Sequence, residues 1–152
     1  MVDFPPEYWM REAIAEAHIA WQKNEVPIGA VIVFNQQIIG RGHNVRESSL
    51  DATGHAEIMA IRDANKNLGA WRLSDCDLYV TLEPCPMCAG AILQARIRNV
   101  YFGATDPKAG CSGTLMNLLT DERFNHRSTV FPGILSDECA QMLRDFFRKL
   151  RS

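Results

Sequence analysis

No apolar run in the chain approaches the length a bilayer requires. Ala30-Val31-Ile32-Val33-Phe34 is typical of the longest, whereas a spanning helix needs about twenty such residues. A membrane protein is therefore not expected. Met1-Val2-Asp3-Phe4-Pro5-Pro6 carries an acid and two prolines with no apolar stretch behind it, unlike a secretory leader, so a cytoplasmic location is expected. A basic excess is also missing. The net charge is −2, which excludes the global electrostatics of a nucleic-acid binder and confines any polyanion contact to a local patch. The stretch from Arg144 to Arg151 offers one. Cysteine is sparse and odd in number, five in all, so an extracellular disulfide framework is not expected. Repeats, low-complexity tracts and long linkers are absent, and residues 1–152 read as one domain.

What is present suffices for a full core, since 47% of the residues are hydrophobic. A first helix is expected from Pro5 or Pro6, where the missing N–H costs nothing. Met10, Ile14, Ala17 and Trp21 give it one apolar face. Two strands, Ile28 to Phe34 and Gln37 to Asn44, meet at a tight turn, Asn35-Gln36. A second helix should run from His55 to about Asn67 and stop near Gly69. Leu78–Leu82 reads as a buried strand, Met87–Ala95 as a helix and Val100–Phe102 as a strand. That unit implies a right-handed crossover between parallel strands. The last helix should start at Ser136, as its cap, and bury Cys139, Met142, Leu143, Phe146 and Leu150. The pattern describes an α/β chain, a mixed sheet with helices on both faces. Ligands of such sheets bind beyond the carboxyl ends of the parallel strands. That edge gathers Cys85, Cys88 and the loop Thr105-Asp106-Pro107-Lys108.

The chemistry resides in His55-Ala56-Glu57 and, about thirty residues on, Pro84-Cys85-Pro86-Met87-Cys88, a pattern known for zinc-dependent nucleobase deaminases. Cys85 and Cys88 are three apart at a helix start, so both sulfurs can face one way, and the helix N-terminus favours thiolates. Two thiolates and an imidazole suit Zn²⁺, and three protein ligands leave a fourth position for water. Glu57 can approach the same metal only if His55 lies just outside the helix; it is then placed to move protons. Simpler readings stand beside this one. A lone Cys-x-x-Cys can be a redox pair. A structural zinc site would need a fourth ligand, for which Cys76, Cys111, Cys139 or His43 could serve. No second pair lies at finger-like spacing, and a structural site has no use for the carboxylate.

Beyond this motif the chain resembles the bacterial tRNA-specific adenosine deaminases of the cytidine deaminase-like superfamily. The resemblance runs through Glu25-Val26-Pro27-Ile28-Gly29-Ala30, Thr53-Gly54-His55-Ala56-Glu57, Leu78–Cys85, Met87-Cys88-Ala89-Gly90, Gly110-Cys111-Ser112-Gly113, Phe124-Asn125-His126-Arg127 and Asp145-Phe146-Phe147. It implies a three-layer α/β/α sandwich on a central mixed five-stranded sheet. It implies one Zn²⁺ per subunit on His55, Cys85 and Cys88, with Glu57 catalytic, and hydrolysis of the wobble adenosine of a tRNA anticodon to inosine. A homodimer gripping the anticodon stem-loop is also implied, with Asn44, Asp106, Lys108, Asn125, Phe147 and Arg148 as substrate contacts. Asn44 could equally end a strand and Asp106-Pro107 make a turn. Of adjacent Phe146 and Phe147, one should pack inside and the other stay free. Arg148 and Lys149 could be a solvated helix face. His126 reads as a packing or capping residue. Rivals that share the metal motif are a deaminase of free cytosine or guanine, or of a pterin or pyrimidine precursor, and a non-catalytic zinc module that binds RNA.

Overall fold

The computed structural model describes residues 3–152. Its elements are α1 (Pro6–Gln22), β1 (Gly29–Phe34), β2 (Gln37–His43), α2 (Ala56–Leu68), β3 (Asp77–Leu82), α3 (Pro86–Ala95), β4 (Asn99–Ala104), β5 (Thr129–Phe131) and α4 (Ser136–Arg151). They build a five-stranded sheet in the order β2-β1-β3-β4-β5. β1 runs antiparallel to both β2 and β3, while β3, β4 and β5 are mutually parallel.

Strand alternation divides the core in two. Ala30 and Ile32 of β1, with Leu78 and Val80 of β3, face α2 and α3. Val31 and Val33, with Tyr79, face α1 and α4. Both faces are covered, which explains why β1 is apolar at every position. The result is the expected α/β/α sandwich. Asn35 and Gln36 both take positive φ, 51° and 60°, which matches the hairpin turn that follows strand twist.

β2 ends at His43, so Asn44 lies one residue past it. Three expectations are corrected. The cap of α4 is Leu135, in the left-handed region at φ 55°, and Ser136 is already helical. Leu150 is 60% exposed and leaves the apolar stripe. Trp21 is only half-buried and packs edge-on against Phe146 of α4, ring centroids 5.2 Å apart. β5 was foreseen only through the family resemblance; its three residues are too few to show a period.

One close approach positions the site. A Cβ on Gly42 would lie 2.3 Å from the Ala56 carbonyl oxygen, and one on Gly40 would lie 2.4 Å from that of Ala60. Glycine thus lets the first turn of α2 rest directly on β2. Gly42→Ala should cost about 1–3 kcal/mol by overpacking and shift the start of α2. A thermal melt checks this, and an unchanged Tm would contradict it.

Candidate active site

Two helix N-termini converge at the carboxyl edge of β3. His55 is the residue before α2, extended at φ −82° and ψ 154°. Cys85 is the residue before α3, extended at φ −78° and ψ 176°. Because neither is yet helical, His55 can turn towards Cys85 while Glu57, two residues on, points to the same region. Pro86 opens α3 without wasting a donor, and Cys88 follows in its first turn.

His55 Nδ1 lies 3.6 Å from Cys85 Sγ and 3.5 Å from Cys88 Sγ. A tetrahedral zinc with Zn–S near 2.3 Å and Zn–N near 2.05 Å requires an S···N edge of about 3.6 Å. The donor set and its spacing therefore fit zinc. Among the described residues no fourth His, Cys, Asp or Glu joins the cluster, so Cys76, Cys111, Cys139 and His43 do not close it.

The electrostatics agree. A hydrogen bond from Cys88 holds the Cys85 thiol down at about 4, against the cost of its burial, with His55 assisting. Cys88 is pushed up, first because it gives that hydrogen bond and then because it is buried. The pair thus favours a thiolate where two helix N-termini meet, and a divalent cation can take the place of the remaining thiol proton. His55 is raised by its bond to Cys85. Glu57 is 4% exposed, and burial pushes its carboxyl up to about 7.

His55, Glu57 and Cys85 line a cleft of about 500 Å³, with Cys88 buried behind them, within the usual range for small-molecule sites. Val26, Ile28 and Leu82 make it apolar; Asn44 and Arg46 form one wall, Thr105–Ala109 the other, and Leu143 and Phe147 the rim. Asn44 both ends the strand region and lines the cleft. Its Nδ2 donates to the Val26 carbonyl at 3.3 Å, and its Oδ1 accepts from Arg46 N–H at 3.1 Å. Asp106 likewise does both, its Oδ1 accepting from Lys108 and Ala109 N–H at 3.0 and 3.2 Å. Lys108 lines the cleft with its side chain exposed. Phe146 is buried and Phe147 is 43% exposed at the rim. Asn125 and Arg148 are exposed and are not among the cleft residues; Arg148 reaches Asp145 at 3.6 Å. His126 bonds the Ile97 carbonyl at 2.8 Å, a packing role.

Reading by residue type missed Arg46 and two buried carboxylates. Glu25 is 1% exposed and accepts the N–H groups of Glu47 and Ser48 at 3.1 and 2.6 Å, fastening the loop behind Asn44. Burial pushes its carboxyl up, but the bonds from Ser48 and Glu47 outweigh this and leave it below the ordinary 4.5. A lowered carboxylate contributes stability above its unfolded value and loses it as pH falls towards the folded one. Glu25→Gln should therefore cost about 1–3 kcal/mol at neutral pH. The gap should narrow below the ordinary value of 4.5. Denaturation at both pH values checks this; a gap that widened in acid would refute it.

A sandwich carrying a His-Cys-Cys cluster and a buried glutamate at paired helix starts has the build of a hydrolytic deaminase. The MafB19-like deaminase family matches residues 5–151. A tRNA-specific adenosine deaminase of Bacillus subtilis (strain 168) is 59% identical over 145 residues, which is 95% of this chain and 90% of that one. A solved structure from a study of A-to-I editing by tRNA:A34 deaminases superposes with a TM-score of 0.85 at 44% identity, covering 89% of this chain and 98% of that one. A guanine deaminase from Nitrosomonas europaea gives 0.82 over 96% of this chain and 86% of its own, but at 23% identity it speaks for the fold alone. The chain belongs to the MafB19-like deaminases, in the branch of the tRNA-specific adenosine deaminases.

Proposed function

We propose that the chain hydrolyses the wobble adenosine of a tRNA anticodon to inosine, releasing ammonia. The observation that carries this is His55 Nδ1 at 3.6 and 3.5 Å from the sulfurs of Cys85 and Cys88, all three donor atoms within 4.8 Å of one another, at an open cleft with Glu57 buried in its lining. His55, Cys85 and Cys88 hold one zinc per chain. Bound there, zinc supplies Lewis acidity that makes water nucleophilic near neutral pH. Glu57 would take one proton from the attacking water and place it on N1 of the adenine ring as the water oxygen bonds to C6; it would then take the second proton from that oxygen and place it on the amino group, so that the C6–N bond breaks, ammonia leaves and C6 keeps the oxygen as a carbonyl. Burial raises the Glu57 carboxyl above the ordinary carboxylate range, the direction that suits a proton carrier at neutral pH.

The base lies between the apolar floor and Phe147, with Asn44 holding its edge. A base reaches such a site only by leaving its stack. Arg46 and Lys108, cations on opposite walls, meet the flanking phosphates, and Asp106 lines the path of the loop. Asn125 and Arg148 meet RNA outside the cleft. Two copies of the chain form a homodimer, for which Leu50, Trp71, Leu115 and Met116, between 54% and 92% exposed, supply unpaired apolar surface. No helix among the described residues is long and apolar enough to cross a membrane, and work beside tRNA fits the cytoplasm.

The test is an anticodon stem-loop with a wobble adenosine, a wobble-cytidine control, and free adenine, guanine and cytosine. Inosine should form in the first alone. Turnover of a free base with no reaction of the stem-loop would replace this reading with a free-base deaminase. Bound zinc without any turnover would favour a non-catalytic module.

A further inference from the structure

Glu83 lies two residues before Cys85 and is 2% exposed. Its carboxylate is the hub of a loop rather than part of an ion pair. Oε1 accepts the Asp106 N–H at 3.0 Å and the Thr114 hydroxyl. Oε2 accepts the N–H groups of Ser112 and Thr114, each at 3.0 Å. Two donors meet each oxygen, and three of the four are backbone groups that cannot reverse their polarity. The loop backbone also lies flush on the carboxylate. A Cβ on Gly110 would come within 2.4 Å of Glu83 Cδ and Oε1. A second tie joins the same pieces: Cys111 N–H donates to the Pro84 carbonyl at 2.8 Å. The loop held this way begins with the cleft wall, Asp106 to Ala109.

We infer that Glu83 is a positioning residue that sets the Asp106–Ala109 wall at a fixed height above the Cys85–Cys88 turn, so that substrate affinity depends on it while metal binding does not. The inference deepens the reading of the cleft proposed above and rests on it for the substrate. Each link is local. Glu83 is joined to Cys85 through Pro84 alone, so a ligand turn and a substrate wall share one rigid anchor. Four donors converge on the two oxygens, an arrangement that suits an ionised carboxylate, which only accepts. Glutamine could not substitute, since its NH2 would face two donors and leave them without an acceptor.

Zinc-loaded wild type, Glu83→Gln and Thr114→Val are compared by amide hydrogen exchange, zinc content and stem-loop kinetics. In Glu83→Gln, exchange across residues 105–115 should speed by about 10–100-fold, while residues 85–95 stay protected. Zinc should remain at one per chain. KM should rise about ten-fold, the equivalent of one lost bond, with kcat little changed. Thr114→Val, which removes only the hydroxyl donor, should show the same pattern more weakly. Unchanged protection over 105–115, loss of zinc, or a fall in kcat at constant KM overturns the inference. Should Glu83→Gln fail to fold, Thr114→Val decides by the same criteria. A wild type that leaves the stem-loop untouched would sink the deaminase reading, and the exchange comparison would still decide whether Glu83 holds the wall.

Discussion

Glu57→Gln should retain one zinc per chain and lose turnover by about 10²–10⁴-fold, the range that a positioned proton-transfer group supplies. Glutamine keeps the volume and burial of the side chain and removes only its capacity to take up and return a proton. The separation from the metal is geometric. Glu57 lies within α2, whereas His55 precedes the helix, and the cluster of mutually close donor atoms contains His55, Cys85 and Cys88 without Glu57. A carboxyl group only 4% exposed is costly to ionise, because burial disfavours its charged form. Removing it should therefore leave the fold at least as stable, as expected where an active site is held against stability. Glu57→Ala should lose as much turnover, though with a small void. Metal analysis together with single-turnover rates decides the matter. Wild-type rates in Glu57→Gln would end the proton-shuttle role, and loss of zinc would make Glu57 a ligand instead.

The parts of this molecule that residue type announces were legible beforehand, and those that depend on backbone were not. His55, Cys85 and Cys88 are uncommon residues whose spacing carries meaning. Whether His55 lay outside the helix, however, depended on one ψ angle of 154°. β1 was visible because it is apolar over its whole length, and β3 because Leu78, Tyr79 and Val80 form an apolar run rich in strand formers. β5 was not, because Thr129–Phe131 is short and mostly exposed. The start of α4 at Ser136 was legible, but its cap was not: Ser136 is a favoured cap residue, yet the cap is Leu135, in a left-handed conformation that residue type does not announce. Glu25 and Glu83 escaped notice for a different reason. Their partners are largely backbone N–H groups, which every residue but proline possesses, so no pattern of side chains marks them. The cleft was foreseen at Cys85 and Thr105–Lys108 from the sheet rule alone. Asn125 and Arg148 came from family likeness, and in this chain they stand outside the cleft.

Removing the metal should have the other large effect, because it acts on stability and turnover together. Zinc present at a thousand times its dissociation constant adds about 4 kcal/mol to the folded state. A chain of this size moves by about 2–4 °C per kcal/mol, so stripping the metal should lower Tm by about 8–16 °C. The triangle of donors explains why the loss is large. Without a cation, Cys85, Cys88 and the Nδ1 of His55 stay crowded together, and no bond to a metal holds the starts of the two helices to each other. Adding zinc back should restore both Tm and activity, and Cys88→Ala should make the loss permanent. Cys139→Ala is the fitting control. Its thiol is equally buried but packs against Gly103 on the other face of the sheet, so it should lower Tm while zinc stays at one per chain. A chelated protein that melted and turned over like the loaded one would show that His55, Cys85 and Cys88 are held together by something other than a metal.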